Sequence, residues 1–220
     1  MIYQTNISKG LFFYNRTLFQ LQKAESIYGL NIRLFWLFLS SAVVFFISGL
    51  FGIGSHVISP ELARSSNVQY EAVKSYFVIG RLLLGLLYAF VIIYLPALFY
   101  WTFSDTFYKK FVVIQVISLP ILLVEQITYI ILAVFFNLPW YSSPLSFGVI
   151  AQYITKSDFV IYLCGAISFL KIWAAVVQYK GVRTLISLSS VKSVLLVIII
   201  NLFFWSLTAV FAYINFKTIL

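Results

Sequence analysis

Five apolar runs dominate the chain, at residues 34–58, 77–101, 111–136, 159–179 and 191–214. Each suffices to cross about 30 Å of hydrocarbon as a helix, which takes roughly 20 residues. The pattern predicts an all-α integral membrane protein with five transmembrane helices in a membrane domain, 34–214. Ahead of it, 1–33 reads as a helix and linker. Lys9, Arg16 and Lys23 recur every seven positions and share one helix face, while Leu11, Tyr14, Leu18 and Leu21 share the opposite one. Phe12, Phe13 and Phe19 widen the apolar side. Such a segment is expected to lie on the membrane surface as an amphipathic interfacial helix. Tyr28–Asn31 would then turn the chain into the bilayer.

Polar positions between the runs set the orientation. Lys9, Arg16, Lys23, Arg33, Lys109, Lys110, Lys180, Arg183 and Lys192 fall on one side, against Arg64, Lys74, Lys156 and Lys217 on the other. Positive charge collects on the cytoplasmic side. The N-terminus is therefore expected in the cytoplasm, and the short tail 215–220 outside. The first run is longer than a signal-peptide core and has no small-residue cleavage pattern, so it reads as a retained anchor. Trp36, Trp101 and Trp140 fall near predicted interfaces, where aromatic belts sit. The connection from Asn137 to Asp158 is long and weakly polar, which suits an interfacial or re-entrant loop.

Composition strengthens the membrane reading. Of 220 residues, 62% are hydrophobic and only 10% charged, against about 25% charged in a soluble domain. The net charge of +9 is spread over the ends of the apolar runs. That distribution argues for anionic lipid headgroups and against nucleic acid. The single cysteine, Cys164, permits no intramolecular disulfide.

Catalytic and cofactor chemistry finds little footing. His56 is the only histidine, and no HExxH, P-loop, dinucleotide fingerprint or nucleophile elbow occurs. The chain is read as a non-enzyme without metal or cofactor. In SGLFGIG, Ser48, Gly49, Gly52 and Gly54 form a small-residue pattern that would allow close helix packing. Pro96 and Pro120 fall inside predicted spans and should kink them.

Charges inside the spans are more informative. Arg81 is near enough to the outer end of its span to snorkel. Glu125 and Lys171 are deeper, on predicted antiparallel spans, with backbones differing in depth by roughly 7 Å at 1.5 Å per residue. An unpaired charge there would cost several kcal/mol. The two are expected to pair directly or through water, either to specify the bundle or to form part of a transport path.

The stretch IWAAVVQYKGVRTLISLSSVKSVLLVIII resembles the end of the Yip family of five-span membrane proteins, through Ile172, Trp173, Gly181, Arg183, Leu188, Ser189 and Lys192. NRTLFQLQKAESIYGLNIRLFWL resembles that family's pre-membrane helix. The short N-terminus is closer to bacterial members, which implies a bacterial plasma membrane. Between the fourth and fifth runs, Gly181 would permit the turn. Lys9, Arg16, Lys23, Lys180, Arg183 and Lys192 would touch lipid phosphates, a partner, or both.

The first expectation is a non-enzymatic membrane adaptor or assembly factor. Its partner would be a membrane protein such as the permease of an ATP-driven exporter, with a role in resistance to toxic peptides. The alternative is a transporter or transporter subunit with its own substrate path.

Overall fold

A computed structural model describes residues 2–55, 66–186 and 188–214. The chain is 79% helical, and four helices are long and apolar enough to cross a membrane. They are α3 (Leu30–Leu50), α4 (Asn67–Trp101), α5 (Tyr108–Phe136) and α9 (Ser190–Tyr213). The run predicted as a fourth span is divided. It forms α7 (Asp158–Gly165) and α8 (Phe169–Leu185), separated at Ala166–Ser168. Before it come a 3-10 turn (Trp140–Ser142) and a short helix, α6 (Gly148–Ile154). His56, Arg64, Lys217 and the tail 215–220 lie outside the described residues.

The N-terminal segment differs from the expected single helix. It comprises β1 (Ile2–Gln4), α1 (Ile7–Phe12), α2 (Tyr14–Gln22) and β2 (Ser26–Tyr28). The strands pair in parallel, Tyr3 opposite Ile27, and the chain breaks between the helices at Phe13. Part of the expected apolar stripe is covered by protein. Leu18 and Leu21 are buried in the main core. Gly10 meets α5 so closely that a Cβ would fall 2.7 Å from the Ile117 side chain. Lys110 donates to the Gln22 carbonyl at 2.8 Å, satisfying an acceptor at the end of α2 that the helix leaves open. The segment is thus fastened against one end of the bundle, called the basic end below.

Helix α5 is the central element. Its residues from Lys110 to Leu119 are all buried, while Val124, Ile127, Ile131 and Phe135 are exposed further along. Helix α4 presents Ala89, Ile93, Ala97 and Tyr100 to the core, a repeat of four and three that keeps them on one face. Close approach of α3 and α4 is made at Gly85, where a Cβ would meet the Ser41 carbonyl at 2.7 Å. Ser41 also donates to the Gly85 carbonyl at 2.7 Å.

Two expectations about glycines change. Helix α3 ends at Leu50, not near residue 58, and Gly52 and Gly54 take positive φ in the turns beyond it. Within that pattern, Ser48 and Gly49 meet α4, both at Arg81. Gly181 lies inside α8 rather than in the following turn. A Cβ there would come within 2.6 Å of Ile114, so the missing side chain lets α8 lie against α5. The connection falls instead after Leu185, and Ser189 caps α9. Thr106 donates to the Leu185 carbonyl at 3.1 Å, tying the two turns of the basic end together.

Candidate functional site

The interruption between α7 and α8 organises a polar cluster. Ser168 is the N-cap of α8, and its hydroxyl oxygen accepts the Lys171 backbone N–H at 3.1 Å. A serine at this position satisfies one of the open donors of the first helical turn. The same hydroxyl donates to Glu125 Oε1, which also accepts from the Tyr129 hydroxyl at 2.7 Å. Lys171 Nζ donates to the Ala166 carbonyl at 2.8 Å and lies 3.7 Å from Glu125 Oε2. That separation makes an ion pair without a hydrogen bond, and Oε2 has no hydrogen-bond partner among the described residues. The Glu125 side chain is 2% exposed and that of Lys171 15%.

The structure therefore brings Glu125 and Lys171 together through the broken backbone. At about 1.5 Å per residue, Lys171 stands roughly 20 Å from the end of α8 at Leu185. An unwound carbonyl, Ala166, supplies the ammonium with an acceptor at this depth. The break is itself braced. Phe147 donates its N–H to the Ile167 carbonyl, and Phe169 donates to the Leu145 carbonyl, both at 3.0 Å. Non-helical backbone at membrane depth is tolerated where protein or a cavity satisfies it. Gly148 and Gly165 make the brace sterically feasible: a Cβ on Gly148 would sit 2.0 Å from the Tyr141 carbonyl, and one on Gly165 2.8 Å from Tyr141 Cβ.

A second polar layer lies about two turns further along α8. Gln178 Oε1 accepts from Asn201 Nδ2 at 2.8 Å and from the Tyr100 hydroxyl at 3.3 Å. Gln178 Nε2 donates to Gln115 Oε1 at 2.9 Å. Four helices, α4, α5, α8 and α9, each contribute one neutral side chain.

Both layers border a cavity of about 550 Å³, within the range of about 300–1,000 Å³ usual for ligand sites. Lys171, Tyr129, Gln178 and Asn201 reach its wall, together with Arg81 from the middle of α4 and Ser48 near the end of α3. Glu125 does not reach it. Among the described residues, the charged groups on the wall are thus cationic. Pro96 also lines the cavity and removes one N–H from α4 there. Leu84, Leu87, Ile92 and Phe204 supply apolar wall.

The chain matches no protein-family model, no curated protein and no solved structure. Among the described residues, no three His, Cys, Asp or Glu side chains gather at a metal-sized site.

The basic residues expected to meet lipid or a partner have different surroundings. Arg16, Lys23 and Lys192 are exposed, with Lys23 lying 4.4 Å above the Phe19 ring. Arg183 is exposed and donates to the Tyr179 hydroxyl at 2.9 Å. Lys180 instead has an internal partner: it hydrogen-bonds the Tyr14 hydroxyl and lies 3.8 Å from that ring's centre. Lys9 belongs to α1, and its side chain lies outside the described set.

Sequence reasoning centred on charge missed Ser168, Tyr129, Tyr100, Gln115, Gln178 and Asn201. A signal existed for the amides. Asn201 interrupts LLVIIINLFFW, and Gln115 and Gln178 sit in equally apolar surroundings. Polar side chains at such positions face the bundle interior or a cavity.

Proposed function

We propose that this chain is a five-crossing integral membrane protein that works as a transport protein or as the transport subunit of a larger assembly. In this reading α7 and α8 together form the fourth crossing, with the N-terminus and the basic end in the cytoplasm. The observation that supports the proposal is the break between α7 and α8, beside which Lys171 lines a cavity inside the bundle. Transporters build central sites from discontinuous helices, because an unwound segment offers carbonyls and a helix N-terminus to the ligand. The residues assigned to the path are Lys171, Gln178, Asn201 and Tyr129. Glu125 and Ser168 hold Lys171 in place.

The test is flux of amphiphilic fluorescent probes from liposomes containing only this protein. Transport that falls at least about tenfold in Asn201→Leu, with folding retained, supports the reading. Equal leakage from protein-containing and empty liposomes overturns independent transport.

A second reading, adaptor or assembly factor for an exporter, is favoured by another surface. Trp36, Val43, Ile47, Ile131 and Phe135 line an apolar groove of about 590 Å³ between α3 and α5, a shape that suits a neighbouring transmembrane helix. Isolation from membranes in mild detergent, followed by identification of stoichiometric partners, tests this reading. Recovery of an ATPase and permease supports it, and a monomer without partners counts against it.

A further inference from the structure

Arg81 is the charged residue of the cavity wall whose charge has no counter-ion among the described residues. Its guanidinium donates to Ser48 Oγ from Nη2 at 2.8 Å and from Nε at 3.2 Å. It also lies 5.6 Å from the Phe45 ring centre. These contacts are neutral. They leave Nη1 free of any hydrogen bond among the described residues, in contrast to Lys171, which faces Glu125. The hydroxyl partner fixes the direction of the fork, and Gly49 lets the Arg81 stem lie flat against α3. At about 1.5 Å per residue, Arg81 stands roughly 30 Å from the Trp101 end of α4, away from the basic end.

From Arg81 the wall continues through Leu84, Leu87 and Ile92 of α4 and Phe204 and Phe211 of α9. A fixed guanidinium with a spare N–H at one end, and an apolar slot leading away from it, complement an acidic head on an acyl chain. A planar guanidinium binds phosphate or carboxylate oxygens in pairs. Among the described residues, a neutral or cationic head would leave the positive charge without a counter-ion.

We propose that the cavity binds one acidic membrane lipid, its anionic head held by Arg81 and Ser48 and an acyl chain lying between α4 and α9. This names the ligand class for the cavity and rests on reading that cavity as a ligand site, but it does not require that the ligand be carried across.

The full chain, purified in a mild non-ionic detergent, is titrated with phosphatidylglycerol, phosphatidylcholine of the same chains, or oleate. Thermal unfolding and intact-complex mass spectrometry are the readouts. Phosphatidylglycerol should raise the unfolding temperature and be retained one per chain, whereas phosphatidylcholine should do neither. Oleate separates phosphate from carboxylate recognition: a matching effect extends the site to acidic heads in general, and no effect restricts it to phosphate. Arg81→Gln should weaken phosphatidylglycerol retention about tenfold or more, the loss of a charged hydrogen bond. Leu84→Trp, which fills the slot while leaving Arg81 in place, should also abolish it, so the inference stays testable if the arginine variant fails to fold. Equal retention of phosphatidylcholine, or undiminished retention in both variants, overturns the proposal. Flux is not a readout, so lipid retention without transport sinks only the transport reading, and transport without lipid retention sinks only this one.

Discussion

The two polar layers of the bundle solve the same problem with different chemistry. The lower one, Gln115, Gln178, Tyr100 and Asn201, is neutral, and every member projects from an unbroken stretch of helix. The upper one holds a carboxylate and an ammonium, and there the helix is interrupted. Amides can satisfy much of their need from one another. A buried ammonium beside a carboxylate still needs further acceptors, and side chains alone are few in a bundle this apolar. The interruption supplies one backbone carbonyl to Lys171 and one serine hydroxyl to Glu125. Charge and broken backbone are therefore one construction, whereas the amide layer is compatible with regular helices.

That contrast should appear first at Glu125. Replacing it with leucine leaves Lys171 buried without its counter-ion, a loss of about 3–5 kcal/mol for a broken buried pair. Thermal unfolding in mild detergent should show a larger drop for it than for Glu125→Gln, Gly148→Ala, Asn201→Ala or Arg183→Gln. Glu125→Gln keeps an oxygen for Ser168 and Tyr129 and should cost less. The brace ranks next. Gly148→Ala drives a methyl into the Tyr141 carbonyl and should cost about 1–3 kcal/mol as overpacking does, with faster proteolysis in the 140–168 region. Asn201→Ala in the neutral layer should cost only about 0.6 kcal/mol, and under about 1.7, as interhelical hydrogen bonds in membranes do. Arg183→Gln should fall within about 0.5 kcal/mol of the parent protein, as exposed substitutions do. If Asn201→Ala proved as damaging as Glu125→Leu, the distinction between the layers would collapse.

Hydropathy made the long helices legible because lipid-facing and core-facing positions in α3, α4, α5 and α9 are alike apolar. The same uniformity hid the interruption. Ile167 and Ser168 fit a continuous apolar run as readily as a break, and what divides α7 from α8 is a distant loop whose Leu145 and Phe147 pair with it. The seven-residue charge repeat predicted one continuous helix face, whereas the break at Phe13 puts Lys9 and Arg16 on different helices. The repeat could not show that Leu18 and Leu21 would be covered by the bundle, or that the segment would return as a parallel strand. Glu125 and Lys171 were visible as candidate partners because charge at depth is rare. Their hydroxyl partners were not, since Ser168 and Tyr129 are unremarkable in sequence. Gly181 shows a related limit: a glycine near the end of a span reads equally as a turn or as a close contact, and only the position of Ile114 decides.

The central claim is that Glu125 and Lys171 act as a coupled pair at the break between α7 and α8. A double-mutant cycle with Glu125→Gln, Lys171→Met and the combination, read by equilibrium unfolding of the full chain in mild detergent, tests it most directly. The account predicts that the double variant is more stable than the sum of the single losses implies, with a coupling of about 0.5–3 kcal/mol as for residues in one polar network. Additive losses would contradict it.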